Sequence, residues 1–157
     1  MDELLLGIDM GTASTKGVLT TPDGEIVATA VRKHAMLMPR PGWAEVDPET
    51  TWWGDLVEVS RELTAAVDPS RIKGMCVSGV GPCLLLTDVA DRPVRNAILY
   101  GIDTRSTAEV DEIMNRYGED RIIEVCGNPM NAQSVGGRML WLQRHEPQVW
   151  ERTKYWF

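Results

Sequence analysis

Three short β-type segments lie within the first 32 residues of the chain, and only a few residues separate each from the next. They cover residues 4–9, 16–21 and 25–32. Parallel neighbours need a crossover of about a dozen residues or more, so segments this close can pair only as antiparallel neighbours. Pro22-Asp23-Gly24 predicts the second turn, because proline presets φ and glycine tolerates a positive φ. The sequence therefore predicts an α/β fold with a mixed sheet that begins as an antiparallel three-strand meander.

The first of these turns is strongly polar. It holds a carboxylate, a glycine, hydroxyls and a cation, namely Asp9, Gly11, Thr12, Ser14 and Lys16. A tight turn that presents backbone N–H groups, hydroxyls and a lysine suits phosphate oxygens. A carboxylate beside it suits a hydrated Mg²⁺, which prefers oxygen ligands and keeps several waters. The residues alone are equally compatible with an ordinary polar hairpin turn, with Asp9 at the end of the first strand and in the turn.

Composition excludes several classes of protein. At 157 residues the chain can bury one good core, so one domain is expected. The net charge of −7 argues against nucleic acid as a partner, because no basic face could neutralise a phosphate backbone. The acidic N-terminus is wrong for a signal peptide, and no apolar stretch reaches membrane-spanning length. The three cysteines have no metal-ligand spacing, and neither His34 nor His145 has a partner at metal or triad spacing, so both histidines are interpreted as structural or exposed. These features predict a cytoplasmic protein with buried, reduced thiols and no membrane partner.

A helix is predicted over residues 48–66. Asp47 can cap its N-terminus, and Pro48 suits the first helical position. Apolar residues then recur at alternating spacings of four and three, at Trp52, Leu56, Val59, Leu63 and Ala66. Such a stripe is typical of a helix packed against a core, so we expect this helix to flank the sheet.

Further strand and helix signals follow. Strands are predicted near 74–79, 84–87 and 97–100, and helices near 106–117, 119–126 and 134–145. Gly79-x-Gly81 does not predict a dinucleotide site, because a strand rather than a helix follows it. Its glycines indicate that the backbone comes close to a ligand or to another strand. Ser106 and Glu109 predict a capping box at the start of the next helix.

Several motifs in this order resemble one family. Gly7–Lys16 looks like the first phosphate motif of the FGGY carbohydrate kinases. Pro41–Pro48 resembles the loop that opens their first long helix, and Ala97–Tyr100 with Asp103–Arg105 resembles their "AILW…D-x-R" segment. Leu140–Pro147 is similar to xylulokinases in particular. The resemblance spans nearly the whole chain.

The resemblance implies an actin-like (ribonuclease-H-like) ATPase domain, against which a second such domain packs with nucleotide and sugar in the cleft. ATP and Mg²⁺ would then be the cofactors. Asp9 would hold Mg²⁺ through water, Gly11 and Thr12 would face the nucleotide phosphates, and Lys16 would replace the family's frequent arginine. Ala13 departs from the family, because a hydroxyl residue often stands there and would supply a phosphate contact.

The sugar side departs further from the family. Val80-Gly81-Pro82 stands where glycerol kinases have Gln-Arg-Glu and xylulokinases have Gln-Met-His, and Tyr100 takes the place of a tryptophan. Gly81, Pro82 and Tyr100 remain candidate contacts to the substrate. Asp103 is the best candidate for a polar contact to a polyol, with Arg105 supporting it or capping the cleft. The alternative is that Asp103 and Arg105 only fix the start of a helix. A pentulose, a hexulose or a sugar alcohol would each be plausible as substrate.

The end of the chain carries further expectations. In the resembled kinases the general-base aspartate comes well after the segment that matches Glu146-Pro147, so the catalytic base is expected beyond Phe157. The chain is therefore interpreted as an N-terminal kinase domain that is incomplete, lacks the C-terminal nucleotide-binding domain and is inactive alone. The alternative is a non-catalytic actin-like binding module. The apolar residues 155–157 are interpreted as the start of an unpaired strand, which predicts self-association.

Overall fold

The structure is a computed structural model, and it describes residues 3–157. The strands are β1 (Leu4–Met10), β2 (Ser14–Thr20), β3 (Ile26–Lys33), β4 (Glu45–Val46), β5 (Ile72–Gly79), β6 (Leu86–Thr87), β7 (Ala97–Ile98) and β8 (Tyr155–Trp156). The α-helices are α1 (Gly54–Ala65), α2 (Thr107–Tyr117), α3 (Glu119–Cys126), α4 (Val135–His145) and α5 (Pro147–Arg152). A π-helical segment, Pro48–Trp53, precedes α1, and a 3-10 turn, Pro69–Arg71, precedes β5. None of the helices in residues 3–157 combines the length and the apolar character that crossing a membrane requires.

The chain divides into two compact units. The first comprises the chain up to Met36 together with Asp47–Val80, and the second comprises Leu37–Val46 with Gly81–Phe157. Each unit therefore draws on two separate stretches of sequence.

The first unit is built on a sheet of four strands in the order β3-β2-β1-β5. β1 pairs antiparallel with β2, and β2 pairs antiparallel with β3, which confirms the three-strand meander. β5 joins the sheet parallel to β1 after the crossover through α1. Asp9 lies within β1 and opposite Lys16 of β2, so its expected position in the turn was wrong. The ladder continues one pair further, to Met10 and Thr15, and the turn is confined to residues 11–13.

One face of this sheet forms the core with α1. Leu6, Ile8 and Leu19 from the sheet are buried together with Val59 and Leu63 from the helix. Gly17 of β2 is required for this packing, because a Cβ there would collide with Val59 and lie 2.7 Å from Leu63 Cδ1. The helix can therefore approach the strand backbone closely only where the side chain is missing.

The opposite face of the sheet is exposed. It carries Leu5 and Asp9 of β1, Lys16 of β2, and Val27 and Val31 of β3. We call this surface the open face. The alternation of buried and exposed residues along β1 and β2 follows the two-residue period of a strand with one covered side.

The predicted helix over 48–66 is confirmed in position, with two differences. Asp47 caps it, since its Oδ1 accepts hydrogen bonds from the N–H groups of Glu49 (2.9 Å) and Thr50 (3.2 Å). The first turns are π-helical, and the regular α-helix begins only at Gly54. Ala66, expected in the buried stripe, is exposed because the helix ends at Ala65.

The second unit has a core of its own. Leu84, Leu86, Ile98, Trp141 and Leu142 are buried together. β4 pairs antiparallel with β7, and β6 pairs antiparallel with β8. The predicted strands at 84–87 and 97–100 are thus present only as two-residue strands.

The expected burial of the three thiols was wrong, because Cys76 and Cys126 are exposed and Cys83 is only partly buried.

Two expectations about the second unit were wrong. Residues 155–157 are not unpaired, because Tyr155 and Trp156 pair with β6, and Phe157 exchanges 2.9 Å backbone hydrogen bonds with Leu85. The side chains of residues 155–157 are nevertheless exposed, and self-association stays a prediction. The capping box is absent: the Ser106 side chain makes no cap hydrogen bond, and Glu109 contacts His145 Nε2 (3.2 Å).

Candidate functional site

Asp9 and Ser78 form a polar pair on the first unit. Asp9 lies opposite Ser78 across the parallel β1–β5 ladder, and the Ser78 hydroxyl donates a 2.7 Å hydrogen bond to Asp9 Oδ1. Within the part of the chain that the structure describes, Oδ2 accepts no hydrogen bond. The carboxylate is thus oriented by one neighbour and keeps one oxygen free.

A groove on the open face surrounds this pair. It has a volume of about 640 Å³, and its lining includes Asp9, Lys16, Thr29, Cys76 and Ser78. No ion pair or hydrogen bond to the Lys16 side chain occurs within residues 3–157. A free ammonium group can bind phosphate oxygens, and a half-free carboxylate can hold a hydrated cation, so the two are chemically compatible with a metal-bound phosphate.

The turn over residues 11–13 supplies backbone donors. The Gly11 N–H is used inside the turn, where it donates to Ser14 O at 2.9 Å. Among the described residues, no protein group accepts from the N–H of Thr12 or Ala13. Any side chain at Gly11 would crowd the turn, since a Cβ there would lie 3.1 Å from Ser14 O. Gly11 therefore contributes space, and Thr12 and Ala13 contribute the unused N–H groups.

The residues present fit a hydrated Mg²⁺. Within residues 3–157, no cluster of three or more His, Cys, Asp or Glu side chains could enclose a metal ion. A single half-free carboxylate beside unused backbone N–H groups and an unpaired lysine suits instead a Mg²⁺ that keeps most of its waters. Asp9 is the residue that would hold it.

His34 and Asp55 are in hydrogen-bond contact next to the turn. His34 Nδ1 lies 2.7 Å from Asp55 Oδ2, and its Nε2 lies 3.1 Å from the carbonyl oxygen of Gly11. The backbone N–H of His34 also donates to Ala13 O at 3.1 Å. His34 is thus tied to the turn through both side chain and backbone, which the sequence analysis did not predict.

Asp103 is completely enclosed in the second unit. Its Oδ2 accepts from the N–H of Ala44 at 2.7 Å and from Arg105 Nη2 at 2.7 Å, and its Oδ1 accepts from the backbone N–H and Nε of Arg105. Neither side chain of this pair is exposed. Because both oxygens are occupied, these contacts favour the alternative in which Asp103 and Arg105 fix the local chain.

Arg105 continues this network. Its Nη2 also contacts Glu45 Oε1 at 2.8 Å, and its guanidinium carbon lies 4.0 Å from the Trp43 ring centre. Arg95 pairs with the same Glu45. Stacking on an aromatic face and bidentate carboxylate pairing are both typical of a buried arginine that holds a structure together.

Arg138 lies beside the remaining sugar-side candidates and was missed in the sequence. It is fully buried, and it donates to Pro82 O (3.1 Å) and Ala132 O (3.0 Å). Burial lowers the pKa of Arg138, and the negative charge of Asp103 acts in the opposite direction. Gly81 and Pro82 are exposed and joined by a cis peptide bond, while Tyr100 is half-buried.

The structure therefore assembles the predicted residues in two groups. Asp9, Gly11, Thr12, Ser14 and Lys16 belong to the first unit, and Gly81, Pro82, Tyr100, Asp103 and Arg105 belong to the second. A shared cleft for the two groups stays a prediction. Ser78 could have been found from sequence, because β5 is a parallel neighbour of β1 and a polar residue at its carboxyl end falls beside Asp9. The sequence contains no pattern that would identify Arg138, since its neighbours indicate only a packed helix.

A family model described as the N-terminal domain of the FGGY family of carbohydrate kinases matches residues 4–157. The chain belongs to this FGGY family. Xylulose kinase from Lactococcus lactis is 33% identical over 152 residues, which are 96% of this chain and 30% of that relative. Xylulose kinase from Escherichia coli is 32% identical over 149 residues, again 30% of the relative. The chain thus spans about 30% of the length of the curated FGGY relatives it matches.

Solved structures of sugar kinases support the same family assignment. The crystal structure of xylulose kinase from Rhodospirillum rubrum superimposes with a TM-score of 0.91 at 31% identity, over 98% of this chain and 32% of that chain. The fold is the actin-like ATPase fold of the FGGY sugar kinases, which confirms the fold expected from the resemblance.

Proposed function

We propose that this chain contributes the phosphate-binding turn and part of the sugar site of an enzyme that phosphorylates a sugar or polyol hydroxyl from ATP. The observation that supports this most directly is the set of polar groups on the open face and in the adjoining turn. Asp9 there is held by Ser78 and keeps one free oxygen, Lys16 is unpaired within residues 3–157, and the N–H of Thr12 is unused.

The chemistry of phosphoryl transfer fits such a group. The reaction depends on positioning and charge neutralisation more than on covalent participation of the protein. Asp9 would hold hydrated Mg²⁺, and bound Mg²⁺ would neutralise phosphate charge. Lys16, the Ser14 hydroxyl and the Thr12 N–H would bind phosphate oxygens directly. No residue of this chain is assigned as the base that accepts the hydroxyl proton.

The substrate is proposed only as a class. The FGGY relatives named above are xylulose kinases, and a glycerol kinase from Nocardia farcinica is 28% identical over 156 residues, so substrates in the family differ in size. In this chain no charged side chain stands at Gly81 or Pro82 to bind sugar hydroxyls. Tyr100, the peptide groups near Pro82 and the pair of Asp103 with Arg105 are the proposed sugar-side residues, the pair by fixing the local chain.

Activity is proposed for a protein that contains this chain together with a second, nucleotide-binding domain. The chain by itself is expected to bind Mg²⁺ and phosphate weakly and to show no sugar-dependent ATP turnover. Each positioned group can contribute about 10²-fold or more in rate, and no described residue is assigned as the base, so turnover by these 157 residues alone should lie below detection.

The experiment follows the amide resonances of the chain by NMR while Mg·ATP is added. Shifts are expected around residues 9–16, and they should be lost in Asp9→Ala but kept in Asp23→Ala, which removes an exposed carboxylate from the second turn. In the larger kinase, Asp9→Ala should lower turnover far more than sugar affinity, because metal-assisted stabilisation acts mainly in the transition state. Equal shifts in Asp9→Ala and the wild type would contradict the proposal.

A non-catalytic binding module is the second candidate. The observation that favours it is the occupied carboxylate of Asp103 together with the uncharged Gly81–Pro82 segment, since neither offers a ready contact to sugar hydroxyls. Sugar-dependent ATP turnover in the larger protein, tested over ketoses and polyols, would exclude it.

A further inference from the structure

The two ring nitrogens of His34 both face groups that can only accept hydrogen bonds. Nδ1 faces the Asp55 carboxylate at 2.7 Å, and Nε2 faces the Gly11 carbonyl at 3.1 Å. A neutral imidazole carries one N–H, whereas the imidazolium carries two. Both contacts are therefore hydrogen bonds only when His34 is protonated. The side chain is 9% exposed, so water can do little to replace a missing contact.

The Gly11 carbonyl belongs to the same peptide unit as the Thr12 N–H. In a trans peptide these two groups point in opposite directions. A hydrogen bond from His34 Nε2 to Gly11 O consequently fixes the direction of the Thr12 N–H, away from His34. This N–H has no acceptor among residues 3–157, and the proposed function assigns it to phosphate.

We infer that His34 is a positioning residue for the phosphate-binding turn, and that its protonation holds the Gly11–Thr12 peptide in the orientation that presents the Thr12 N–H to phosphate. The inference rests on the proposed function where it names phosphate as the ligand. The orientation itself follows from the contacts of His34 alone.

Deprotonation would reverse this orientation effect. The Asp55 carboxylate retains the remaining proton on Nδ1, because a charge-assisted hydrogen bond is the stronger of the two. The lone pair of Nε2 then faces the lone pairs of Gly11 O, and the glycine lets the peptide rotate at little steric cost. The contribution of the Thr12 N–H to phosphate binding should therefore be larger with a protonated His34 than with a neutral one.

The acidic groups of α1, the helix beside His34, are all engaged. Asp55 faces it from α1, and on the same helix Glu58 and Glu62 both pair with Arg32 of β3. The turn faces His34 with uncharged carbonyl groups, those of Gly11 and Ala13. Asp55 is thus the charged group in direct contact with His34.

The test uses NMR on the 157-residue chain between about pH 5.5 and 8.5, the range in which histidine side chains titrate. The His34 ring resonances and the Thr12 amide resonance are followed without ligand. Both are expected to change with the same midpoint. His145→Gln, which alters the other histidine of the chain, should leave the Thr12 curve unchanged.

His34→Gln provides the decisive variant. Its side-chain amide can donate to Gly11 O but does not titrate, so the Thr12 amide should stay at its low-pH position throughout. Affinity is then measured for Mg·ATP and for inorganic phosphate, and the ratio of wild type to variant removes the titration of the ligand itself. This ratio should fall by about three- to tenfold from the lowest to the highest pH, the value of one ordinary hydrogen bond.

The outcomes separate the two claims. If the Thr12 amide resonance does not change when His34 is protonated, the positioning role is overturned. The wild-type titration decides this even if His34→Gln does not fold. A Thr12 amide that follows His34, while neither Mg·ATP nor phosphate shifts any resonance of the turn, overturns the assignment of phosphate and with it the proposed function.

Discussion

Removing the Asp103 carboxylate should destabilise the second unit strongly. The Asp103→Ala change leaves the N–H of Ala44 without its acceptor and removes the partner that receives both Nε and Nη2 of Arg105. Both side chains of the pair are fully buried, so solvent does not screen the loss. Breaking a buried ion pair from one side costs about 3–5 kcal/mol.

The expected loss of stability for Asp103→Ala lies at the lower end of this range. Arg105 keeps Glu45 Oε1 at 2.8 Å and the Trp43 ring, so its charge is not left alone. We expect a loss of about 3 kcal/mol in the free energy of unfolding, a large part of the 5–15 kcal/mol that is typical of a folded domain. For a chain of this size, that corresponds to a fall of roughly 6–12 °C in Tm.

Urea unfolding monitored by tryptophan fluorescence measures this loss. Trp43 and Trp141 lie 4.0 and 5.2 Å from the Arg105 guanidinium carbon, so the signal includes the perturbed region. The matched control is Asp111→Ala, an exposed carboxylate on α2, which should change stability by less than about 0.5 kcal/mol. If Asp103→Ala costs no more than this control, Asp103 does not hold the local chain, and its role as a direct contact to polyol regains support.

Three further predictions concern packing, capping and a thiol. Gly17→Ala should cost about 1–3 kcal/mol in urea unfolding, because its Cβ would collide with Val59, and an unchanged midpoint would refute the close approach. Asp47→Ala should cost about 1 kcal/mol at pH 7 through loss of the cap. Burial opposes ionisation of Asp47, but the hydrogen bonds that its carboxylate accepts from backbone N–H groups lower its pKa overall. The stabilisation by Asp47 is therefore present above its pKa in the unfolded chain and is lost as the pH falls through its pKa in the folded chain. Unfolding at pH 7 and pH 3 should show the difference between wild type and variant shrinking at pH 3. Burial raises the pKa of the Cys83 thiol, so alkylation at pH 8, followed by mass spectrometry, should label Cys83 more slowly than the exposed Cys126, and equal rates would contradict this.

The meander, and the helix α1 that covers one face of its sheet, could be predicted from the sequence alone. Turn residues at 22–24 and the short spacing between strands leave only antiparallel pairing, and the stripe through Val59 and Leu63 identifies the buried side of α1. These are local signals, which depend on neighbours in sequence. The two-residue strands of the second unit carry no such signal, because their pairing depends on partners far along the chain.

The candidate site was less accessible from sequence. Local chemistry identified Asp9 and Lys16, whose positions opposite each other follow from one hairpin. The engagement of Asp103 by Ala44 joins residues 59 positions apart, and the contact of His34 with Gly11 spans 23 positions. Such contacts follow from tertiary packing, and no spacing rule predicts them. The same limit applies to the expectation that residues 155–157 are unpaired, since β6 lies about 70 residues earlier in the chain.

The late position of β5 in the sequence has a consequence for the synthesis of the chain. The edge of β1 that faces away from β2 is paired only with β5 in the described sheet. The meander can form as soon as its three strands leave the ribosome, but β1 stays without its parallel neighbour until β5 has been made. At about 5–20 residues per second, that interval lasts on the order of seconds. During it the exposed edge of β1 is available for pairing with other chains, so conditions that slow translation between residues 33 and 72 should favour aggregation of the nascent protein.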